Sequence, residues 1–473
     1  MIEKVDKNVI LIGLGPHAKR IYIALFKKYN IEPKVIVDLR KKEEELKLFL
    51  SKNNISSKLY LIDDKDADNL ELSSVVQNDL KKIINEENIK YAIISTEPKS
   101  HFAYSKFLIA LNINILMDKP ITAPIDAINN INQSKKIETE YLELCNLYKK
   151  HYDKMKFVIQ CQRRFHKGYN YVKDLISEVV NKYGIPVTYI DIYHCDGMWN
   201  MPDEFFYREN HPYKYGYGKL FHSGYHFVDL LSWLIKCNDN IGKDIDNVSL
   251  YTTTYRPKDF MNNIDNNFYH NYMNTNKFDK IFNEKNLVND FGELDIHAIM
   301  DFKKGNDIIT NCSFNLMQSG YSRRSWVELP IDTYKSNGRV RHERINIQVG
   351  PLMNVQIHSY QAQEINDQRK INEYDVGGLN HFDIYIFRNE KIIAGKPFEK
   401  ISIKDLTMKS ETEFLGNNEK ARERCFYNFL FTEKRTSDLL EHQKSILLLE
   451  KMCEAIASNK GKINFDWKDY YEK

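Results

Sequence analysis

Short apolar runs alternate with longer segments of mixed polarity along the first third of the chain. The runs cover residues 8–13, 34–39, 91–97, 114–120 and 156–162. Unbroken apolar character is typical of parallel strands that are covered on both faces, and the segments between the runs are long enough to form crossover helices. The pattern predicts a doubly wound α/β domain over residues 1–165.

The pattern changes after residue 165. The apolar runs become longer and partly alternating, at residues 186–195, 247–255, 294–302, 307–316, 344–350 and 353–360. Alternation of this kind is expected of antiparallel strands with one covered face, and residues 303–306 predict a hairpin turn between two of them. We therefore predict a second domain over residues 166–473.

Two stretches of the second domain stand apart from its strands. Residues 256–292 are rich in asparagine and lack clean periodicity, which predicts an insertion or a long loop. Residues 437–460 are amphipathic at helical spacing and are followed by Gly461, which predicts a helix close to the C-terminus.

The composition narrows the class of protein. The chain has 473 residues, with 68 basic and 65 acidic side chains. Neither sign dominates, which argues against a dedicated nucleic-acid or membrane-surface protein. None of the seven cysteines forms a CxxC pair, and no apolar stretch approaches the ~20 residues of a membrane span. We expect a soluble, cytoplasmic protein.

A glycine-rich turn follows the first predicted strand, in the stretch "VILIGLGPHAKR". The turn contains Gly13, Gly15, Pro16, His17 and Ala18. The first glycine permits a tight turn, the second lets the backbone approach a pyrophosphate, and the small alanine allows the helix to pack closely on the strand. This context predicts a dinucleotide site, with a cofactor-free α/β turn as the alternative.

Two charged residues near the second predicted strand bear on the choice of cofactor. Asp38 ends that strand, and a carboxylate there accepts hydrogen bonds from the adenosine ribose hydroxyls. It would also repel a 2′-phosphate, which favours NAD over NADP. Arg40 lies close enough to hold such a phosphate, so NADP stays an alternative.

The stretch "KLFHSGYHFVDLLSWL" places His222, His226 and Asp229 on one stripe of a predicted helix. Such a stripe fits metal ligands, an acid/base pair, or buried polar residues with ordinary partners. Metal is disfavoured because the residues between the histidines, "SGY", lack the glutamate of metalloprotease motifs, so we predict no metal site. Asp229 is expected to orient His226 or to cap a backbone group.

Four ordered motifs together resemble the glucose–fructose oxidoreductase, inositol dehydrogenase and MocA family (Gfo/Idh/MocA). They are the glycine turn, "STEPKSHFAYSKFLIALNINILMDKPIT", "QRRFHKGY" and "GKLFHSGYHFVDLLSWL". The resemblance implies a Rossmann domain followed by an α+β domain with a large, open, mostly antiparallel sheet. It also implies that the helix at 437–460 packs back toward the N-terminal domain, and that the protein is a homodimer or homotetramer.

The resemblance further implies NAD(P)-dependent transfer of hydride to or from a sugar, inositol or nucleotide-sugar-like substrate. The motif lysine, Lys119, would stabilise the substrate oxygen and also contact the cofactor, and the bond to Pro120 would be cis. Thr96 and His101 would line the cofactor site. The motif histidine, His226, would be the acid/base, which suits an imidazole because its pKa lies near working pH.

His222 departs from the family pattern, which commonly has an aspartate at this position. It would hydrogen-bond the substrate or share the proton, or it is merely tolerated there. Further substrate-binding candidates are Arg163, Arg164, His166, Trp199 and Tyr215. Two rival functions stay open, namely an NAD-dependent glycoside hydrolase or lyase that oxidises its sugar transiently, and a non-catalytic dinucleotide-binding sensor.

Overall fold

The computed structural model describes residues 7–67, 71–208, 212–324, 327, 338–362, 372–407 and 417–467. The chain divides into two compact units. The first unit comprises Met1–Pro124, Lys136–Phe165 and Asn418–Gln443. The second unit comprises Ile125–Lys135, His166–Asn417 and Lys444–Lys473.

The first unit is built on a six-stranded sheet with the strand order β3-β2-β1-β4-β5-β6, and all of its strand pairs are parallel. The strands are β1 Val9–Ile12, β2 Val35–Leu39, β3 Lys58–Ile62, β4 Tyr91–Ile94, β5 Asn114–Met117 and β6 Phe157–Ile159. The predicted doubly wound domain is confirmed. β3 was not predicted, because Lys58–Ile62 is an edge strand whose residues are mostly half-exposed.

Helices fill the connections of this sheet. They are α1 Pro16–Arg20, α2 Tyr22–Lys28, α3 Glu43–Lys52, α4 Asp64–Ala67, α5 Ser74–Glu86, α6 His101–Ala110 and α7 Ile131–Lys149. Shorter 3-10 helices occur along the chain at Arg40–Lys42, Pro98–Ser100, Gln162–Phe165, Tyr213–Tyr215, Lys236–Ile241, Lys285–Val288 and Leu439–His442.

The second unit contains a nine-stranded sheet with the order β14-β13-β12-β11-β7-β10-β9-β8-β15. Its strands are β7 Val187–Met198, β8 Asn247–Tyr255, β9 Asp295–Lys304, β10 Asp307–Ser319, β11 Arg341–Val349, β12 Met353–Gln361, β13 Asp383–Arg388, β14 Phe398–Ser402 and β15 Lys462–Asp466. All pairs are antiparallel except β7 with β10. The mostly antiparallel sheet and the hairpin between β9 and β10 are therefore confirmed.

The helices of the later chain are α8 Lys167–Tyr183, α9 Pro202–Tyr207, α10 Tyr225–Ile235, α11 Pro257–Asn263, α12 Asn266–Met273, α13 Asp279–Asn283, α14 Asn417–Phe431 and α15 Gln443–Ala457. α14 lies in the first unit, where the ring of Phe426 packs against Phe26 and Tyr29 of the α2 region at 5.5 and 5.9 Å. The helix predicted over residues 437–460 is α15, which belongs to the second unit from Lys444 onward.

Residues 256–292, which were predicted to be an insertion or a long loop, are largely helical. α11 begins at Pro257, and Asp265 caps α12 by accepting the backbone N–H of Phe268. Asn274 ends α12 in the left-handed conformation. These helices have only five to eight residues each, too few for a helical period to show in the sequence. Within the described ranges, none of the helices has the length and hydropathy of a membrane span.

Candidate functional site

The glycine turn after β1 has the backbone geometry that a phosphate site requires. Gly13 has φ +92°, and a Cβ there would lie 2.5 Å from the carbonyl oxygen of Ser95, so a side chain is excluded. A Cβ at Gly15 would meet nothing within 4 Å, so that backbone faces open space. Ala18 is buried against the core. The turn therefore fits a dinucleotide pyrophosphate, because the open space at Gly15 lets the backbone approach the phosphates.

Asp38 ties the end of β2 to the glycine turn. Its two carboxylate oxygens accept the backbone N–H groups of Leu14 and Leu39, each at 2.7 Å. Each oxygen keeps a further lone pair with which it can accept a ribose hydroxyl. Arg40, the residue that kept NADP open, donates to the carboxylate of Asp63 at 2.5 Å.

Lys119 lies in a turn after β5 that several side chains hold. The bond between Lys119 and Pro120 is cis, as expected. The preceding residue, Asp118, accepts hydrogen bonds from the hydroxyls of Tyr22 and Ser95, both at 2.6 Å. A carboxylate one residue before the lysine thus anchors the turn to α2 and to the end of β4.

Two histidines flank this turn. His101 is fully buried, with Nδ1 2.7 Å from the carbonyl oxygen of Pro120 and Nε2 3.3 Å from that of Thr96. These contacts hold the turn in place, and the role of His101 in the cofactor site stays a prediction. His17 is half-buried in the glycine turn, and burial lowers its pKa to about 4, against the attraction of Asp118, so its ring is neutral at neutral pH.

The arginines of the 3-10 helix Gln162–Phe165 are both buried. The guanidinium of Arg164 donates to the carboxylate of Glu441 at 2.9 Å and to the carbonyl oxygen of the same residue at 3.2 Å. Arg164 is therefore held in an ion pair within the first unit, and Arg163 is 2% exposed. For both arginines, the role as a substrate ligand stays a prediction.

His166 also has a structural role. Its Nδ1 accepts the backbone N–H of Gly168 and so caps α8, and its ring packs 4.6 Å from that of Phe382. The ring is buried. The role of His166 in substrate binding stays a prediction.

The segment that carries the paired histidines is not a regular helix. Residues Leu220–Gly224 form a π-helical turn that runs into α10, and the backbone N–H of Gly224 bonds to the carbonyl oxygen of Lys219 at 2.8 Å. The sequence predicted uninterrupted α-helix here. Such wide turns add a residue to the helical turn and occur frequently at functional sites. His222 lies within the wide turn, and His226 follows it.

Tyr213 packs against His222. The two rings are 5.5 Å apart in an edge-on arrangement. The hydroxyl of Tyr213 accepts the side-chain amide of Asn200 at 2.8 Å and that of Gln318. Burial raises the pKa of Tyr213 well above its ordinary value. A rigidly held aromatic ring thus forms one wall around His222.

The remaining predicted side chains have separate surroundings. Asp229 is buried and accepts the hydroxyl of Ser445 on α15 at 2.8 Å, a partner that the sequence did not suggest. Trp199 is half-buried and packs 5.8 Å from Phe268 of α12. Tyr215 is half-exposed. Within the part of the chain that the structure describes, no three His, Cys, Asp or Glu residues are grouped as metal ligands.

Two buried charged residues at the start of the histidine segment were missed. Lys219 is 0% exposed and donates to the carboxylate of Asp196 at 2.5 Å. Glu293 accepts the backbone N–H of Leu220 at 2.8 Å, and burial raises its pKa to about 7. The sequence feature that could have identified Lys219 is a lone lysine beside an apolar stretch. No sequence feature indicated a role for Glu293.

Comparison with known families supports the assignment of the first unit. Residues 7–141 match the sequence model of an oxidoreductase family with an NAD-binding Rossmann fold, Gfo/Idh/MocA. The match agrees with the resemblance inferred from the motifs over these residues, which are similar to the NAD-binding domain of that family. No curated protein matched the chain.

Solved structures share the fold over nearly the whole chain. The WlbA dehydrogenase from Chromobacterium violaceum, in complex with NADH and UDP-GlcNAcA, is 13% identical, with a TM-score of 0.57 over 98% of this chain and 97% of that one. Aldose-aldose oxidoreductase from Caulobacter crescentus, with glycerol, is 13% identical, with a TM-score of 0.53 over 97% and 99%. An oxidoreductase from Agrobacterium radiobacter, with NAD+, L-tartaric acid and magnesium, is 11% identical, with a TM-score of 0.54 over 98% and 99%.

Proposed function

We propose that this NAD-binding oxidoreductase of the Gfo/Idh/MocA family transfers hydride between nicotinamide and a ring hydroxyl or keto group of a sugar, inositol or nucleotide-sugar-like substrate. The observation that carries the proposal is the family match over residues 7–141, which includes both the glycine turn and Lys119. Similar folds have been solved with NADH and UDP-GlcNAcA and with glycerol, which supports a polyhydroxylated substrate class.

The cofactor is proposed to bind along the first unit. The backbone at Gly13 and Gly15 approaches the pyrophosphate, and Asp38 accepts the ribose hydroxyls. His17, neutral at neutral pH, donates a hydrogen bond to a phosphate oxygen. NAD is preferred to NADP because Asp38 would repel a 2′-phosphate while Arg40 is already paired with Asp63.

Bound NAD supplies the hydride acceptor, and the residues of the chain manage the proton and the oxygen. Lys119 donates a hydrogen bond to the substrate oxygen and stabilises alkoxide character as hydride leaves the carbon. His226 accepts the hydroxyl proton through a neutral imidazole, and returns it when the reaction runs toward reduction. His222 hydrogen-bonds a neighbouring hydroxyl and so fixes the orientation of the substrate.

The test is the kinetics of Lys119→Ala with substrates found by an NADH absorbance screen. Because the ammonium acts on the reacting oxygen, kcat is expected to fall about 10²–10³-fold. The affinity for NADH, measured by fluorescence titration, is expected to stay within about threefold of the wild type.

Lys90→Ala is the matched control, because Lys90 is an exposed lysine directly before β4 of the same unit. Wild-type activity in Lys119→Ala would refute the proposed role of Lys119. A turnover that consumes substrate without net formation of NADH would instead select the hydrolase or lyase alternative, and NADH binding without any turnover would select the sensor.

A further inference from the structure

We propose that Lys219 and Asp196 are positioning residues, whose buried ion pair fixes the wide turn that carries His222 and leads into His226. The catalytic consequence of this inference rests on the proposed function, in which the two histidines act on the substrate. The structural part rests on contacts within the second unit alone.

The ammonium group of Lys219 has three close polar neighbours. It lies 2.5 Å from Oδ2 of Asp196, 2.8 Å from Oγ of Ser223 and 2.9 Å from Nδ1 of His194. Asp196 and Ser223 accept two of its three N–H donors, whereas the role of the His194 nitrogen depends on the tautomer of a ring whose Nε2 lies 3.3 Å from the guanidinium of Arg341. Lysine is rarely buried completely unless it is paired, and Lys219 satisfies that condition without solvent.

Asp196 is held in place from a second side. Its Oδ2 also accepts the hydroxyl of Ser223 at 2.8 Å, and its Oδ1 accepts the guanidinium of Arg339. Burial alone would raise the pKa of this carboxyl, but Lys219 and Arg339 hold it well below its usual range. Asp196 is therefore an ionised anchor at the end of β7 to which the histidine segment is tied.

The anchor acts on the wide turn at both of its ends. The carbonyl oxygen of Lys219 accepts the N–H of Gly224 in the bond that widens the turn, while its side chain reaches Ser223. A Cβ at Gly224 would lie 2.5 Å from the carbonyl oxygen of Lys219, so the turn also needs a glycine there. His222 lies between these fixed points, and its direction follows from the turn.

Glu293 binds the backbone at the start of the same turn. Its carbonyl oxygen accepts the N–H of Lys219 at 2.9 Å, and its carboxyl oxygen accepts the N–H of Leu220 at 2.8 Å. Both bonds are to the backbone, so they set where the segment begins. The ion pair of Lys219 with Asp196 then sets how the segment turns between that start and α10.

Stability alone does not account for this ion pair. Replacing a buried ion pair by apolar residues of similar volume is often neutral or stabilising, whereas a buried pair also restricts the chain to one arrangement. We therefore expect the pair to matter more for the direction of His222 and His226 than for the free energy of unfolding.

The experiment compares Lys219→Met, Asp196→Asn and the double variant. Asp196→Asn leaves an ammonium buried without a carboxylate and is expected to lower Tm strongly. The double variant removes both charges and leaves Arg339 with the amide and the backbone carbonyl oxygen of position 196 as acceptors. Its Tm is therefore expected to lie well above that of Asp196→Asn, and its affinity for NADH to stay close to wild type. Its kcat is expected to stay at least about tenfold below wild type with little change in KM, because the turn is no longer tethered.

The matched control is the double variant Arg388→Met with Glu399→Gln, which removes an ion pair of 2.9 Å between β13 and β14. It should keep wild-type kcat. Recovery of kcat to within about twofold in the Lys219 and Asp196 double variant, together with its stability, would overturn the inference because the pair would then be merely structural.

Two further measurements keep the inference decidable. Ser223→Ala leaves every charge paired but removes one acceptor of the buried ammonium, so it is expected to lower Tm by less than Asp196→Asn does and to lower kcat about threefold. Wild-type kcat in this variant overturns the inference if the double variant does not fold. NMR of histidine-labelled protein, assigned with His222→Asn and His226→Asn, should show both ring signals shifted in the double variant. Unchanged ring signals overturn the inference, whether or not the wild-type protein turns over a polyol. Absence of polyol turnover by the wild type would contradict the proposed function and leave this test unaffected.

Discussion

Glu293 shows how burial alters the chemistry of a single side chain. The residue is fully buried, and burial raises the pKa of its carboxyl from 4.5 to about 7. In the unfolded chain the same carboxyl releases its proton at lower pH. Between these two pKa values the folded protein binds more protons than the unfolded chain, so the contribution of Glu293 to stability is present below about pH 4.5 and is lost as pH rises toward about 7.

Glu293→Gln is therefore expected to stabilise the protein above neutral pH. The amide keeps an oxygen for the N–H of Leu220 and removes the cost of charging the buried carboxyl. We expect the free energy of unfolding at about pH 8 to rise by about 1–3 kcal/mol relative to wild type, with little difference at about pH 4. Urea titrations at the two pH values provide the measurement.

Glu86→Gln, at an exposed position on α5, serves as the control and should follow the wild type at both pH values. Glu140 and Asp438, whose pKa values burial raises to about 7 and about 6, contribute a pH dependence of the same sign in every variant. An equal free energy of unfolding for Glu293→Gln and the wild type at high pH would show that ionisation of the buried carboxyl does not destabilise the folded protein.

At the residue level, the sequence predicted those positions whose structure depends on their spacing along the chain. The glycine turn is one of them, because it comes directly after the predicted strand β1. The sequence did not predict the partners that His101, Arg164 and His166 have within the chain, because a polar residue in a motif does not reveal which other part of the chain it contacts. Lys219 was missed for the same reason, since its partner Asp196 lies 23 residues away in sequence.

Tyr213 links several elements to the histidine segment. The rings of Phe205 and Phe260 bring α9 and α11 into a buried cluster that includes Tyr213, with Phe205 5.6 Å from Tyr213 and 5.5 Å from Phe260. Tyr213 in turn lies 5.5 Å from His222. The helices of residues 257–288 thus belong to the buried cluster that holds Tyr213 beside His222.

Tyr213→Phe is expected to separate the two functions of this side chain. It keeps the ring beside His222 and removes the oxygen that accepts the amides of Asn200 and Gln318. Leaving buried donors without an acceptor is expected to cost about 1–3 kcal/mol of stability, while kcat changes by less than about threefold. Thermal unfolding and steady-state kinetics measure the two effects.

Tyr251→Phe is the matched control, since Tyr251 is half-exposed on β8 and should tolerate loss of its hydroxyl. An unchanged Tm in Tyr213→Phe would mean that the hydroxyl contributes nothing to the cluster. A large fall in kcat at unchanged Tm would instead give the hydroxyl a direct role in the reaction.

At the level of elements, prediction succeeded where a period extended over enough residues. All strands of the first sheet except β3 and most of those in the second were predicted. α11, α12 and α13 were not, because each is too short to complete a visible apolar stripe. The wide turn at Leu220–Gly224 was also not predictable, since the residues of a π-turn still fit a helical pattern.

For the molecule as a whole, we predict that copies of the chain associate through the exposed face of the nine-stranded sheet. Tyr251 and Ile299 are directly opposite on β8 and β9 and are 50% and 61% exposed. Tyr189 on β7 is 37% exposed on the same face. Exposed apolar groups on an open sheet favour a protein–protein contact, which agrees with the homo-oligomer expected from the family resemblance.

Ile299→Glu is expected to weaken that contact, because it places a charge at the centre of the apolar patch. The variant should elute with a smaller mass than wild type in size-exclusion chromatography with light scattering. Tyr272→Glu, at a 79% exposed position on α12, is the control and should leave the mass unchanged. A wild-type mass for Ile299→Glu would exclude this face as the interface.

The architecture of the molecule was more predictable than its substrate. Unbroken apolar runs followed by alternating ones were enough to predict a parallel and a mostly antiparallel sheet. The choice among sugars, inositols and nucleotide sugars depends on a few side chains whose contacts are set by tertiary structure. Similar structures at 11–13% identity share the fold and do not transfer a substrate.

Isotope transfer tests the central claim, that a nicotinamide exchanges hydride with a carbinol carbon on this protein. The protein is incubated with NAD+ and a panel of sugars, inositols and nucleotide sugars deuterated at their ring carbinol carbons, and the cofactor is analysed by mass spectrometry. We predict deuterium in the nicotinamide ring with at least one substrate, and its loss in Lys119→Ala. Saturating cofactor binding without deuterium transfer from any member of the panel would contradict the account.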